Sequence, residues 1–447
     1  MTEQFDLIIR GGTVMTPSGR METEVGVRDG RVAAIGVSET AAAHETVDAT
    51  CLHVLPGVID TQVHFREPGL EYKEDLESGT RAAVMGGVTA IFEMPNTTPN
   101  TLDGAALEDK LARAQERAWC DHAFFIGAAE ENADRLGELE KLPGCCGVKI
   151  FMGSSTGSLL VAEDDQLERV LAHGKRRVAI HAEDEARLND RTALWADASG
   201  PEFHPVWRVV QTAVRPTRRI LALARKTGRR VHVLHITTAD EMPILAAAKD
   251  VSTVEVTPQH LTLAAPDCYE RVGSYAQMNP PIRDAHHRDG LWWGINQGIV
   301  DVIGSDHAPH TAEEKARPYP GSPSGMPSVQ TLVPLMLNHV NAGRLTLERF
   351  VDLTSAGPQR IFNIVGKGRI ALGYDADFTI VDMKAQRTIE ASWIESKCGW
   401  TPFDGMDVTG WPIATVIRGN IVMREDERLA APGGKPVRFG DTLVAEG

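Results

Sequence analysis

Several classes of protein are excluded by what this sequence lacks. Its 447 residues hold 46 lysines and arginines against 61 aspartates and glutamates, a formal net charge of -15 at pH 7. No basic stretch is available to displace counterions from phosphates, which argues against a nucleic-acid partner. No run approaches the roughly 20 apolar residues that cross a bilayer, and no basic N-terminal region leads into a long apolar segment. A cytoplasmic protein with no membrane attachment is therefore expected. The six cysteines (Cys51, Cys120, Cys145, Cys146, Cys268 and Cys398) are scattered, with no C-x-x-C spacing. That spacing excludes a cysteine zinc knot or a dithiol redox pair and leaves buried, reduced thiols. No G-x-G-x-x-G follows an early strand, so a dinucleotide site has no support. Fixed-period repeats and low-complexity tracts are also missing.

What is present has a clear order. Residues 5 to about 55 alternate short β-rich runs with turns, Asp29-Gly30 being a strong hairpin signal. Eight apolar, β-branched runs follow, at 54–65, 89–95, 122–128, 147–152, 178–183, 231–237, 253–258 and 300–307. Segments of helical periodicity lie between most of them, among them 74–85, 105–118, 165–172, 216–226 and 288–297. Strand and helix alternating eight times predict an α/β fold, a (β/α)8 TIM-like barrel. Segments 325–343 and 346–361 read as barrel-covering helices, and 308–328, rich in Pro, Gly and Ser, as a long loop over the barrel mouth. From Lys367 onward the strand-and-turn style returns, at 368–371, 377–381, 413–418 and 420–423. The two chain ends, 1–53 and 367–447, are thus expected to build one small β-sandwich domain beside a barrel of residues 54–366.

In such barrels chemistry sits at the C-terminal ends of the strands. In Asp60-Thr-Gln-Val-His-Phe-Arg-Glu-Pro-Gly, a period of two sends Asp60, Gln62, His64 and Arg66 to one side and Val63 and Phe65 to the other. Asn96 lies just beyond the second run, Lys149 within the fourth, His181 within the fifth and His235 within the sixth. Asp306 and His310 belong to the end of the eighth. Two histidines on consecutive strands facing a third suit zinc, whose open coordination lets a bound water ionise near neutrality. A buried amine such as Lys149 loses its proton readily and is compatible with a carbamate that bridges metals. Asp306, at a strand end beside two histidines, has the position of a general base.

Together these residues resemble a known family, the cyclic amidohydrolases, and within it the dihydroorotases. The matching pieces are the Asp60–Gly69 stretch, Met94-Pro-Asn-Thr, Gly147-Val-Lys, His181-Ala-Glu, His235-Ile-Thr-Thr-Ala-Asp, Met278-Asn-Pro-Pro-Ile-Arg and Gly304-Ser-Asp-His-Ala-Pro-His. They occur in the family's order over almost the whole chain. The resemblance implies a hydrolase with one or two zinc ions per chain, His64 on one metal, His181 and His235 on the other, and carbamylated Lys149 between them. It further implies Asp306 as metal ligand and general acid/base, Arg66, Asn96 and His310 on the substrate carboxylate, and Asn279 on the ring. The implied reaction is the reversible conversion of dihydroorotate to N-carbamoyl-L-aspartate in pyrimidine biosynthesis, by zinc-activated hydroxide. The implied partners are a small-molecule substrate, further copies of the chain, and aspartate transcarbamoylase.

One residue departs from the family pattern. Where the family has His-x-His, this chain has Gln62-Val63-His64, and an amide oxygen is a weaker zinc ligand than imidazole. The outer metal is therefore expected to bind loosely or to be absent. Two other readings stay open at this point: a hydantoinase- or allantoinase-like enzyme with another cyclic amide, and a silent homologue that serves aspartate transcarbamoylase as a structural partner.

Overall fold

The computed structural model describes residues 4–155, 158–196 and 198–442. Eight strands pair in chain order, each parallel to the next: Val58–Val63, Val88–Glu93, Asp121–Gly127, Cys145–Phe151, Val178–His181, Val231–Val233, Ser252–Val256 and Val302–Ile303. First and last meet where Val63 bridges His307, and the His64 amide donates to the His307 carbonyl at 2.7 Å. The sheet thus closes into the expected barrel. Helices Leu76–Met85, Gly104–Ala114, Asp164–Ala172, Val210–Thr227 and Ala285–Asn296 fill the expected positions. The fourth of these begins six residues before Pro216, which sequence reading takes as its start. Pro216 has no N–H to offer the Thr212 carbonyl one turn back, and the Asp184 amide takes that place at 2.9 Å. Among the described residues no helix is long and apolar enough to cross a membrane.

Alternation along the strands separates two apolar layers. Ile91, Phe124, Ile126, Val178 and Ile180 pack outward in the large cluster shared with the helices. Their neighbours Ala90, Phe92, Ala123, Phe125 and Ala179 pack inside the barrel. Small inward residues make room there for Phe362 and Phe439, whose rings meet Phe92 edge-on and plug the floor. Residues 435–439 reach the floor by running alongside the third strand, the Val437 amide donating to the His122 carbonyl at 2.9 Å.

The β-sandwich lies beside the barrel. One sheet of four strands orders Arg31–Ile35, Val25–Arg28, Gln4–Arg10 and Ala42–Asp48, and a sheet of seven interleaves N-terminal with C-terminal strands. Leu7, Val25 and Val47 from the first pack against Val54, Phe378, Ile380 and Val416 of the second. The run 54–65 divides between the domains. His53–Pro56 pairs with Phe378–Ile389 in the sandwich, and the barrel strand starts at Val58. Gly57 makes the crossing possible, since a Cβ there would lie 2.3 Å from the Thr89 hydroxyl. The expected strand at 368–371 is instead a pair of bends, with Gly368 at φ +80°, although Ile370 is buried in the sandwich core.

A buried polar node joins the two domains. The Lys367 ammonium lies 2.6 Å from Asp121 at the start of barrel strand three, 3.2 Å from Asp375 and 2.5 Å from Asp377. Arg418 also bonds Asp121. Three surrounding carboxylates outweigh the cost of burial and raise the Lys367 pKa above its ordinary value. Lys367→Met leaves those carboxylates short of a cation in a buried setting. The expected loss is about 3–5 kcal/mol of stability, read as a lower denaturation midpoint with an unchanged substrate KM.

Candidate active site

Two local breaks in strand alternation deliver the polar side chains to the barrel mouth. In strand one, Ile59 packs inside and Val63 outside, because one extra residue is inserted between Asp60 and Val63. That bulge brings Gln62, His64 and Arg66 to the cavity wall. It also corrects the expected grouping with Asp60, which does not line the cavity: one Asp60 oxygen accepts from the Ser305 amide at 2.9 Å and the Gln62 amide at 3.2 Å. Thr61 faces Glu255 of strand seven, its hydroxyl donating at 2.8 Å. In strand four, Cys146 packs inside while Val148 and Ile150 pack outside, so the shift opposite Phe124 and Phe125 lets Lys149 face inward. His235, Asp306 and Arg66 sit at positive φ (35°, 46° and 65°), a backbone setting that costs non-glycine residues of order 1–3 kcal/mol and is typical of functional sites.

The cavity holds two facing pairs. His181 Nδ1 and His235 Nε2 stand 3.0 Å apart, while His64 Nε2 lies 3.2 Å from Asp306. Lys149, buried between these strands, has no hydrogen-bond partner for its amine among the described residues, and the amine lies 4.5 Å from the Phe151 ring centre. Burial brings its pKa down to about 7, against the pull of Asp306 and Glu255. Burial also lowers the pKa of His64, His181 and His235, keeping the imidazoles neutral. Burial alone would raise Asp306, but the contact with His64 and the nearby His235 and Lys149 hold it below the usual carboxylate value. Gln62 turns its amide nitrogen to the same Asp306 oxygen at 2.9 Å, leaving its own carbonyl oxygen buried without a donor.

Arg66 lines the cavity wall. It is buried, donates from Nε to the Pro309 carbonyl at 3.1 Å, and makes no ion pair among the described residues. Desolvation brings its pKa down to about 10, still charged at neutrality. Asn96 lines the same wall, its side-chain oxygen 2.8 Å from His64 Nδ1, on the side of the ring away from Asp306. His310 stands behind this wall, not on it. Its Nδ1 accepts from Lys73 at 3.1 Å, its Nε2 donates to the Ser324 carbonyl at 3.0 Å, and Arg66 passes at 3.4 Å. Asn279 lines the opposite side with Met278, Ser324 and Gly325.

Sequence reading missed several supports of this site. Glu183 receives His181 Nε2 at 3.0 Å and is bonded by Arg208; though burial opposes it, the arginine and histidine hold its carboxyl at about 2. Its signal in the sequence was its place two residues beyond His181, in the piece His181-Ala-Glu. Lys315, wholly buried, donates to the carbonyls of Gln277 (3.1 Å), Pro323 (2.8 Å) and Gly325 (3.0 Å). It ties together the two segments that roof the cavity, and nothing in its local sequence distinguishes it from a solvated lysine. Trp400 reaches over from the second domain, its indole donating to the His310 carbonyl at 2.8 Å.

The sequence model of the amidohydrolase family matches residues 53–422. A dihydroorotase from Methanosarcina mazei is 35% identical over 444 residues, covering 96% of each chain, and one from Pyrococcus furiosus is 34% identical over 434 residues, again covering 96% of each. Among solved structures, an L-hydantoinase (dihydropyrimidinase) from Arthrobacter aurescens superposes with a TM-score of 0.90 at 31% identity, covering 97% of this chain and 99% of that one. Dihydropyrimidinase from Brevibacillus agri gives 0.90 at 28% identity, covering 98% and 99%.

The roof offers a direct test. Lys315→Met takes the donor from the Pro323 and Gly325 carbonyls, at about 1–3 kcal/mol for each left unsatisfied, while the Gln277 carbonyl keeps the Gly325 amide at 2.9 Å. Amide exchange is expected to quicken at residues 277–279 and 323–326 while barrel strands keep their protection. Unchanged exchange in both segments would remove Lys315 from this role.

Proposed function

The chain belongs to the amidohydrolase family, and on that premise we propose that this hydrolase is a dihydroorotase, interconverting dihydroorotate and N-carbamoyl-L-aspartate in pyrimidine biosynthesis. The observation that carries the reading is Arg66, a buried guanidinium on the cavity wall with no carboxylate ion-paired to it among the described residues. A guanidinium forks onto a carboxylate through two parallel hydrogen bonds, so it favours a cyclic amide that bears one. The dihydroorotase relatives support this choice. The hydantoinase-like structures support the second reading, a cyclic amide without a carboxylate, and Arg66 is the residue that separates the two.

The donor set fits zinc. His181 gives Nε2 to Glu183, which leaves Nδ1 as a lone pair aimed at His235 Nε2. Two ring nitrogens facing each other at 3.0 Å need a proton or a cation between them. Among the described residues no three His, Cys, Asp or Glu side chains form a ready metal cage. Lys149 would complete one as a carbamate, consistent with its buried, unpartnered amine. In this reading His64, carbamylated Lys149, His181, His235 and Asp306 would hold one or two ions, Gln62 being the residue that weakens the outer site. When bound, zinc supplies a Lewis acid for the ring carbonyl and lowers the pKa of water.

The chain's own residues then divide the remaining work. Asp306, ionised and steered by Gln62 and His64, accepts a proton and returns it to the leaving ring nitrogen. Arg66 and Asn96 orient the substrate carboxylate, His310 backs Arg66, and Asn279 meets the ring, so the reacting carbonyl is held near the attacking oxygen. The retained acid/base and donor residues support an active enzyme over a silent partner of aspartate transcarbamoylase. A cytoplasmic homo-oligomer, alone or with that transcarbamoylase, belongs to the same reading.

Arg66→Met is expected to lower kcat/KM for dihydroorotate by roughly 100- to 1,000-fold, the worth of a desolvated bidentate pair, with little change in thermal stability. Assayed beside it, wild type should act far better on dihydroorotate than on dihydrouracil; the reverse preference would select the hydantoinase-like reading. Gln62→His is expected to raise zinc content per chain and to change turnover. If neither moves, the contact with Asp306 is the whole role of Gln62.

A further inference from the structure

His204 is assigned no part in the reaction as derived so far, yet it is buried where three loops of the barrel mouth meet. It lies in the short helix His204–Trp207, between strands five and six. Its Nε2 lies 2.8 Å from Asn279 Oδ1, 3.1 Å from the Met278 carbonyl and 3.3 Å from the Ser324 hydroxyl. On the other side of the ring, Nδ1 faces the Tyr319 hydroxyl at 3.3 Å, and the two rings meet edge to face. Asn279, Met278 and Ser324 all line the cavity.

Hydrogen-bond logic permits one assignment of this network. The Met278 carbonyl can only accept, so Nε2 carries the proton. A neutral ring then has its lone pair on Nδ1, which accepts from the phenol of Tyr319. Burial, reinforced by Arg208, lowers the His204 pKa to about 3, in keeping with a neutral imidazole. An N–H at Nε2 requires the Asn279 atom facing it to be the oxygen, because a flipped amide would oppose two donors at 2.8 Å. With its oxygen engaged, Asn279 has its NH2 group left to offer.

We propose that His204 is a positioning residue that locks the Asn279 amide with its NH2 group as the group offered to the cavity, so that the substrate must present an acceptor oxygen at that point. The inference depends on the dihydroorotase reading only for the identity of the ring. A ring carbonyl meets the requirement; a ring N–H at the same place would be rejected, since two donors would be left facing each other in a buried site. Tyr319 acts one step further out, its hydroxyl donating to Nδ1 of the tautomer that the Met278 carbonyl selects.

Three measurements on the full-length protein test it. Nitrogen NMR of histidine-labelled wild type, with the His204 signal assigned through its loss in His204→Gln, should report a neutral Nε2–H tautomer. The Nδ1–H form would overturn the proposal, and this readout is independent of turnover. Asn279→Asp keeps the shape but replaces the donor by an acceptor, and is expected to raise KM for dihydroorotate by about 100-fold or more; a KM within about threefold of wild type would show that no donor is needed there. His204→Leu should raise KM about tenfold with kcat within about threefold, while His204→Gln, which keeps an N–H for the Asn279 oxygen, should stay near wild type. In an Asn279→Ala background His204→Leu should add almost nothing. Equal effects in both backgrounds would make His204 a structural residue acting elsewhere. If wild type fails to turn over dihydroorotate at all, the parent reading falls, and the tautomer still decides the role of His204.

Discussion

A β-strand sends successive side chains to opposite faces, and in a closed barrel one of those faces is a packed apolar interior. Under that constraint a strand cannot continue its inward row indefinitely and also present a chosen polar group at the mouth. This protein breaks the row where chemistry is needed. An extra residue between Asp60 and Val63, and another beside Gly147, shift the parity of strands one and four, so that Gln62, His64, Arg66 and Lys149 turn inward above a layer of Ile59, Phe92, Phe125 and Cys146. Positive φ at His235 and Asp306 does similar work beyond the short strands six and eight. The distorted backbone is tolerated because the apolar layer below and the helices outside are regular.

The mouth is held by groups that are themselves buried. Glu183 fixes His181, Asn96 fixes His64, Gln62 steers Asp306, and Lys315 ties the roof. Among the described residues, three side chains that line the cavity carry a buried atom with no hydrogen-bond partner: the Lys149 amine, His235 Nδ1 and the Gln62 oxygen. Burial in a low-dielectric setting makes such atoms costly, so they mark where a ligand would complete the site. Arg66 belongs to the same argument from the charge side, as a buried cation whose anion is not supplied by the described part of the chain.

The second domain is more than an appendage. It shares the Lys367 node with the start of strand three, and from its far side Trp400 and Ser396 reach loops at the barrel mouth. Barrel floor and barrel mouth are therefore both fastened to one sandwich. That arrangement gives the loops after strands one and eight a fixed frame without any disulfide, in keeping with six free cysteines.

Much of this was readable from the sequence because the physics behind it is local. Repeated β-branched runs with amphipathic segments between them determined the barrel, and the turn-rich ends determined the sandwich. The row Gln62, His64, Arg66, with Lys149, His181, His235 and Asp306, stood out because polar groups in apolar runs are expensive unless used. What depends on contacts between distant segments had no local trace. Period two alone grouped Asp60 with the site, since a bulge is set by pairing with the neighbouring strand. Lys315 looked like any lysine until three carbonyls from two loops surrounded it. His310 lay four residues from Asp306 in sequence, but hydrogen bonds to Lys73 and Ser324 drew it behind Arg66. His204 came from a loop with no motif at all. Sequence decides which residues are too costly to bury without purpose, whereas only the tertiary structure, by closing loops far apart in the chain around shared hydrogen bonds, decides which of them face the cavity and which hold the others in place.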